Sequence, residues 1–250
     1  HTLSLHDALP IWDDWSGDSG DLHGTVLAPS GLFPIAEALV YLSTTMPEPF
    51  PDSVHCQACE DMTAKWWTLS NADGTFTLTD VPAAEGLFYL VVQKGLFRRV
   101  TALDIAPGNN DVPAALTTLP GQNSGDGSTT IPRFAVLLNN YDLAEDMLAK
   151  LGMADLGSDG HFVPGTERFD CYDDGNTLGY PPSSEIFASQ DTLNGYHMVF
   201  FPCICNTLGT DFVTSHTDML RSWVGAGGKL YASCWAGQWG EVPFPEYIEF

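Results

Sequence analysis

The chain has 250 residues, 44% of them hydrophobic and 12% aromatic, which is enough apolar material for the cores of two ordinary domains. Nine basic residues against 32 acidic ones give a net charge of −23, which repels nucleic acid phosphates and anionic membrane surfaces. No apolar run approaches the roughly 20 residues needed to span a bilayer, so neither nucleic acid nor a membrane interior is an expected partner.

The first residues, Thr2 to Ile11, are similar to the translation of a common short-read sequencing adapter, so residues 1–11 are expected to be foreign to the protein. By the same reading the natural start, with any signal peptide, is expected to lie upstream, and the last domain is expected to be truncated. Residues 12–22 form an acidic, Gly-rich lead-in.

From 23 to 119 short β-rich segments recur between turn residues: HGTVLA, ALVYLS, WWTLS, TFTLT, GLFYLVVQ and FRRVTALD. The NADG between WWTLS and TFTLT predicts a hairpin turn with positive backbone angles at Asp73 and Gly74. Alternation of Phe76 and Leu78 with Thr75, Thr77 and Thr79 predicts one buried and one wet face, and many short antiparallel strands suggest a β-sandwich. Lys94, Arg98 and Arg99 form the one dense basic spot, expected to be a solvated strand face paired with carboxylates, with an anionic polymer as the alternative. An insertion from about Ser43 to Lys65 carries Cys56 and Cys59 in HCQACED. A structural disulfide is the first reading of that pair, and a redox or zinc half-site the second.

Several of these segments, taken in order, resemble the carboxypeptidase regulatory-like domain of transthyretin-like fold. They are Gly24–Val26, Pro34–Leu42, Asp73–Leu78, Val81–Ala83 and Gly86 with Leu87 to Val92. The resemblance covers about residues 20 to 120 and implies an accessory, adhesive or spacer module with no catalytic residues of its own. The long insertion is a departure from the family pattern.

Residues 120–130, PGQNSGDGSTT, are small, polar and turn-forming, as in a linker. From 131 to 250 the period changes. RFAVLLNN reads as a strand buried on both faces, and YDLAEDMLAKLG as a helix capped through Asp142 and Glu145, with an apolar face of Met147, Leu148 and Leu151. HMVFFPC, DFVTSHTDMLRSWVGAGG and KLYASC repeat this grammar as strand, helix and strand. The second helix buries Val213, Leu220, Trp223 and Val224 and stops at Gly225, Gly227 and Gly228. The expected fold is therefore multidomain: an all-β transthyretin-like sandwich followed by an open, mainly parallel, flavodoxin-like α/β domain. Ligands of such a sheet lie beyond the carboxyl ends of its strands, where Cys203, Cys205 and Cys234 fall.

A strand, a polar turn, a helix, a Gly-Gly turn, a strand and then a cysteine resemble the class I glutamine amidotransferase-like fold. Its nucleophilic cysteine sits on a sharp strand-to-helix elbow between small residues, here Ala232 and Ala236, where the family carries glycine. The resemblance implies Cys234 as nucleophile. The family's His and acid partners come well downstream, and only 16 residues follow Cys234. The whole chain also resembles exported bacterial proteins that join these two domain types, a group in which a histidine commonly stands at the Cys234 position.

Six cysteines in an acidic, lysine-poor chain fit an oxidising, exported setting, so Cys56, Cys59, Cys171, Cys203, Cys205 and Cys234 are all disulfide candidates. For Cys234 a disulfide with Cys203 or Cys205 is the first reading, an inert thiol the second and a nucleophile the third. Cys203, Cys205 and Cys234, completed by Cys171 or His197, are also a weak candidate set for zinc or copper, and no cofactor is expected. The acidic turn DCYDDGN fails as a calcium loop, because Tyr172 and Pro181 stand where ligands belong. Trp235 and Trp239 are candidates for stacking on a sugar. The expected function is an exported cell-envelope or extracellular interaction module, its partner an extracellular protein or polysaccharide. The competing expectation is a hydrolase or amidotransferase-like enzyme using Cys234.

Overall fold

The computed structural model describes residues 17–56, 64–83, 88–175, 177–203 and 208–248. The chain is a mixed α/β protein with three sheets. The first half holds β1 (Ser19–Thr25), β2 (Leu39–Ser43), β3 (Trp67–Leu69), β4 (Thr75–Pro82), β5 (Phe88–Lys94), β6 (Phe97–Leu103), β7 (Gly108–Asp111) and β8 (Thr129–Thr130), with a short helix α1 (Ala114–Thr117). Five strands form an antiparallel sheet in the order β3-β2-β5-β6-β8. Three more are ordered β4-β1-β7, with β1 antiparallel to β4 and parallel to β7. Inward-facing residues of both sheets, among them Leu22, Val40, Phe76, Leu78 and Leu90, meet in one apolar cluster, as the alternation in TFTLT requires.

Three local expectations change here. The NADG turn exists, held by Asp73 accepting the Thr75 amide at 3.0 Å, with Gly74 at φ 78°, while Asp73 is not among the residues of positive φ. It is not a hairpin within one sheet, because β3 and β4 lie in different sheets and the turn crosses between them. Residues 120–130 are not a free tether: β8 pairs with Arg98 and Arg99 of β6, and Asp126 gathers the Ser124 hydroxyl and the Ser128 amide and hydroxyl. The basic trio is not a uniformly solvated strand face: Lys94 is exposed, Arg99 half-buried and Arg98 buried. Lys94, Arg98 and Arg99 donate to the backbone carbonyls of Glu37, Glu48 and Thr118, and Arg98 is buried over the Phe50 ring.

The second half holds β9 (Phe134–Leu137), α2 (Ala144–Lys150), β10 (Asp170–Tyr172), α3 (Gln190–Asn194), β11 (Met198–Phe201), α4 (Thr210–Ser215), α5 (Thr217–Gly225), β12 (Lys229–Ala232) and α6 (Gln238–Glu241). Its four strands are all parallel in the order β10-β9-β11-β12. One face packs on Phe187, Val213, Leu220, Trp223 and Trp239, the other on Leu148, Met153 and Phe169, so β9 is buried throughout, as its unbroken apolar run demands. The long helix expected over DFVTSHTDMLRSWVGAGG breaks at His216, whose backbone (φ −111°, ψ 12°) leaves the helical region while its Nδ1 meets the Phe212 carbonyl at 2.8 Å. The expected capping pair of α2 is absent. Leu143 holds the N-cap position without a side-chain bond, Glu145 is buried, and Met147 is exposed.

The two halves touch directly. The described part of the insertion, up to Cys56, leaves the first half and seats Val54 in the apolar core of the second, with the Val54 amide donating to the Asn194 carbonyl at 2.7 Å. Beside it the His55 ring meets that of His197 edge-on at 6.0 Å. Elsewhere Phe97 packs on Phe134, and the Ser30 amide donates to Leu151 at 2.9 Å. Among the described residues no helix is long and apolar enough to cross a membrane.

Candidate functional site

The chain leaves β9 to one side to make β10 and returns on the other side as β11, so the sheet order reverses between β9 and β11. Loops on the carboxyl side of such a reversal diverge and leave a crevice. Three strand ends converge there. After β9 the Asn139 carboxamide accepts the Tyr141 and Asp142 amides at 2.6 and 3.0 Å, a tight turn that aims Asp142 across the sheet edge. Asp142 Oδ2 accepts the Cys203 amide, beyond β11, at 3.0 Å and also the Ser233 hydroxyl, beyond β12. One carboxylate thus fastens three strand ends. Those bonds, the Ser233 hydroxyl first, favour its ionised form and hold its pKa below the ordinary value.

Cys234 follows at once. Its φ of 52° lies in the left-handed region, one of three such non-glycine residues among those described. It opens a tight helical turn, Cys234–Gly237, that runs into α6, so the chain passes from strand to helix within one residue. Ala236 is fully buried beneath, which is why a small residue is needed at that spacing. The Cys234 side chain is exposed, and the register of β11 and β12 makes the buried Cys203 its neighbour, close enough for the two thiols to interact. That interaction, some loss of solvent and the Asp142 charge raise its pKa above the ordinary thiol value. A resting thiol, not a thiolate, therefore occupies the elbow at neutral pH.

The other sequence candidates scatter. Cys171 lies inside β10, packed in the core with burial raising its pKa, and Cys56 is exposed on the insertion. Cys59 and Cys205 lie outside the described residues. Cys56, Cys171, Cys203 and Cys234 are free thiols. Of the thiolate set, Cys203 and Cys234 are neighbours at the ends of β11 and β12, whereas His197 precedes β11 and lies the length of the strand from Cys203; among the described residues no cluster of three metal-ligating side chains occurs. Trp239 is not a stacking platform: it is buried against Phe201 at 4.1 Å and Phe187 at 5.1 Å. Trp235, in the helical turn after β12, is 74% exposed and Tyr141, on the loop after β9, 68%, both at the carboxyl edge. In DCYDDGN the first three residues are strand β10 and not a turn. The Asp173 carboxylate is spent on the amides of Gly175, Thr177 and Leu178, and Asp174 on Ser183, which leaves no loop of free carboxylates for calcium.

The described histidines serve elsewhere: His23 meets Thr77, His55 the Ser53 carbonyl, His161 Asp146, His197 the Arg133 amide and His216 the Phe212 carbonyl. A cavity of 660 Å³ lies between the halves, lined among others by Phe50, Ile131, Arg133, Arg168 and His197. Its guanidinium groups are already engaged, Arg133 with Asp170 at 2.7 Å and Arg168 with the Thr166 carbonyl at 2.5 Å. Sequence reasoning missed Asp142 and Ser233 as site residues. The available signal was a polar N-N-Y-D run directly after a buried strand, the place where ligands of such sheets bind.

No family model and no curated protein matches the chain. Solved structures similar to parts of it include a mutant type II cohesin–X-dockerin complex from Acetivibrio cellulolyticus, at 13% identity and a TM-score of 0.27, covering 46% of this chain and 67% of that one. A 9R-lipoxygenase from Cyanothece matches at 11% identity and a TM-score of 0.20, covering 38% of this chain and 17% of that one. Likenesses this remote carry no structural or functional argument.

Proposed function

We propose that this chain is an exported interaction protein of the cell envelope or extracellular space. In this reading a transthyretin-like β-sandwich of the carboxypeptidase regulatory type is joined to a flavodoxin-like α/β half, and the carboxyl edge of the latter binds a polysaccharide. The observation that carries the reading is the exposed Trp235, with Tyr141 also exposed on that edge and Asp142 and Ser233 close by in the chain to supply polar groups. An aromatic face suits the apolar face of a pyranose ring, and acceptors beside it suit sugar hydroxyls. The acidic surface supports a neutral glycan over a polyanionic one. The test is a glycan array followed by calorimetric titration of each hit. The expected result is binding to neutral polysaccharide that Trp235→Ala lowers at least about tenfold without changing stability. Retention of no glycan, or full binding by that variant, overturns the reading.

A second reading, a cysteine-dependent hydrolase or amidotransferase-like enzyme, is favoured by one observation, the left-handed backbone of Cys234 at a strand-to-helix elbow. It requires a base for a thiol whose pKa is raised, which the described histidines do not supply. Rapid alkylation of Cys234 near neutral pH supports it; alkylation no faster than that of a free thiol removes it.

A further inference from the structure

Strands β11 and β12 run parallel with Phe201 opposite Ala232, so Cys203 and Cys234, each two residues further on, leave the sheet side by side. Both are free thiols, and the register makes them neighbours close enough to interact. They differ in access: Cys234 is exposed, whereas Cys203 is 6% exposed beneath it. Asp142 holds the backbone of Cys203 and the side chain of Ser233 at once, which fixes the two strand ends relative to each other. An exposed thiol on an exposed turn, backed by a buried thiol in fixed register, is the arrangement of an attacking and a resolving cysteine.

We propose that Cys203 and Cys234 are a thiol–disulfide exchange pair that reacts with an incoming disulfide, such as that of a small oxidised thiol or of an exported protein. Cys234 loses its proton to solvent, and its sulfur attacks one sulfur of the incoming disulfide. A bond forms between Cys234 and that sulfur, the incoming bond breaks, and one thiolate leaves and is protonated. Cys203 then loses its proton and attacks the Cys234 sulfur, expelling the second thiolate. The pair has given up two protons and two electrons, and the disulfide has become two thiols. The product bond staples the end of β11 to the end of β12. This inference does not depend on the glycan reading, since it concerns sulfur chemistry and not Trp235. Interaction with Cys203 and the charge of Asp142 keep the resting thiol protonated, so exchange accelerates with pH, about tenfold per unit, until Cys234 ionises.

The test takes the full chain, reduced, through buffers of reduced and oxidised glutathione, with acid quench, alkylation and peptide mass analysis. The expected wild-type product is a linked pair of peptides joining Cys203 to Cys234, with two hydrogens lost and Cys171 still alkylatable. Cys203→Ser is expected to leave glutathione on Cys234, raising that adduct about tenfold over wild type, and Cys234→Ser to leave Cys203 unmodified. A lasting glutathione adduct on wild-type Cys234, or a bond from Cys203 or Cys234 to any other cysteine, overturns the proposal. The wild-type linkage alone decides the matter if either serine variant fails to fold.

Discussion

At the residue scale the backbone of Cys234 is a measurable quantity. A left-handed non-glycine residue costs about 1 to 2 kcal/mol, partly offset in glycine by its greater unfolded-state entropy. Cys234→Gly is therefore expected to leave stability unchanged or raise it by up to about 1 kcal/mol in urea unfolding, whereas Cys234→Val should lower it by more than that. Loss of stability in the glycine variant would show that the turn is not strained. Glu145 offers a second test. It is 5% exposed, one of its oxygens is buried without a partner, and burial raises its pKa from 4.5 to about 7. The folded state then binds more protons than the unfolded state between those values. The sign of the linkage follows: stability falls as pH rises from about 4.5 to about 7, by about 3 kcal/mol in all. Glu145→Gln should flatten that slope and be the more stable protein at pH 8, as read from denaturation midpoints across pH.

At the element scale the buried strands were legible because their apolar runs state a burial that nothing else satisfies. RFAVLLNN, HMVFFPC and KLYASC all became neighbours in one parallel sheet, in β9, β11 and β12. What the sequence hid was pairing made by backbone alone. GNND of β7 and the two threonines of β8 have no apolar alternation, and DCY of β10 is flanked by charge, so none carries a strand pattern. The candidate site was legible in Cys234 and its small neighbours. Asp142 was not, because a helix-capping spacing described it equally well and only the third dimension places it across from Ser233. Gly228 was read as a helix stop, but the contact that requires it is with Trp223, whose indole a Cβ at 228 would overlap. Trp223 is fully buried, and its Nε1 donates to the Tyr196 carbonyl at 2.8 Å. Gly228→Ala is expected to cost about 2 kcal/mol or more in chemical unfolding; a shift under about 0.5 kcal/mol would mean that the ring moves freely.

At the scale of the whole molecule the insertion changes what the two-part sequence pattern suggests. A sandwich followed by a polar linker reads as two independent bodies, yet Val54 from the first half is part of the core of the second, and Gly227 approaches the His55 backbone so closely that a Cβ would overlap it. Shared apolar burial couples unfolding, so calorimetry should show one cooperative transition for the wild type. Val54→Asp places a charge in that core and is expected to split the transition in two. Two transitions already in the wild type would mean that the coupling is weak. A pull between the ends of the chain would also meet more than a string of beads. Force would have to shear β8 from β6 and draw Val54 out of its socket before the halves could part. Such a molecule behaves as a rivet rather than a spring, transmitting displacement of one half to the carboxyl edge of the other with little slack.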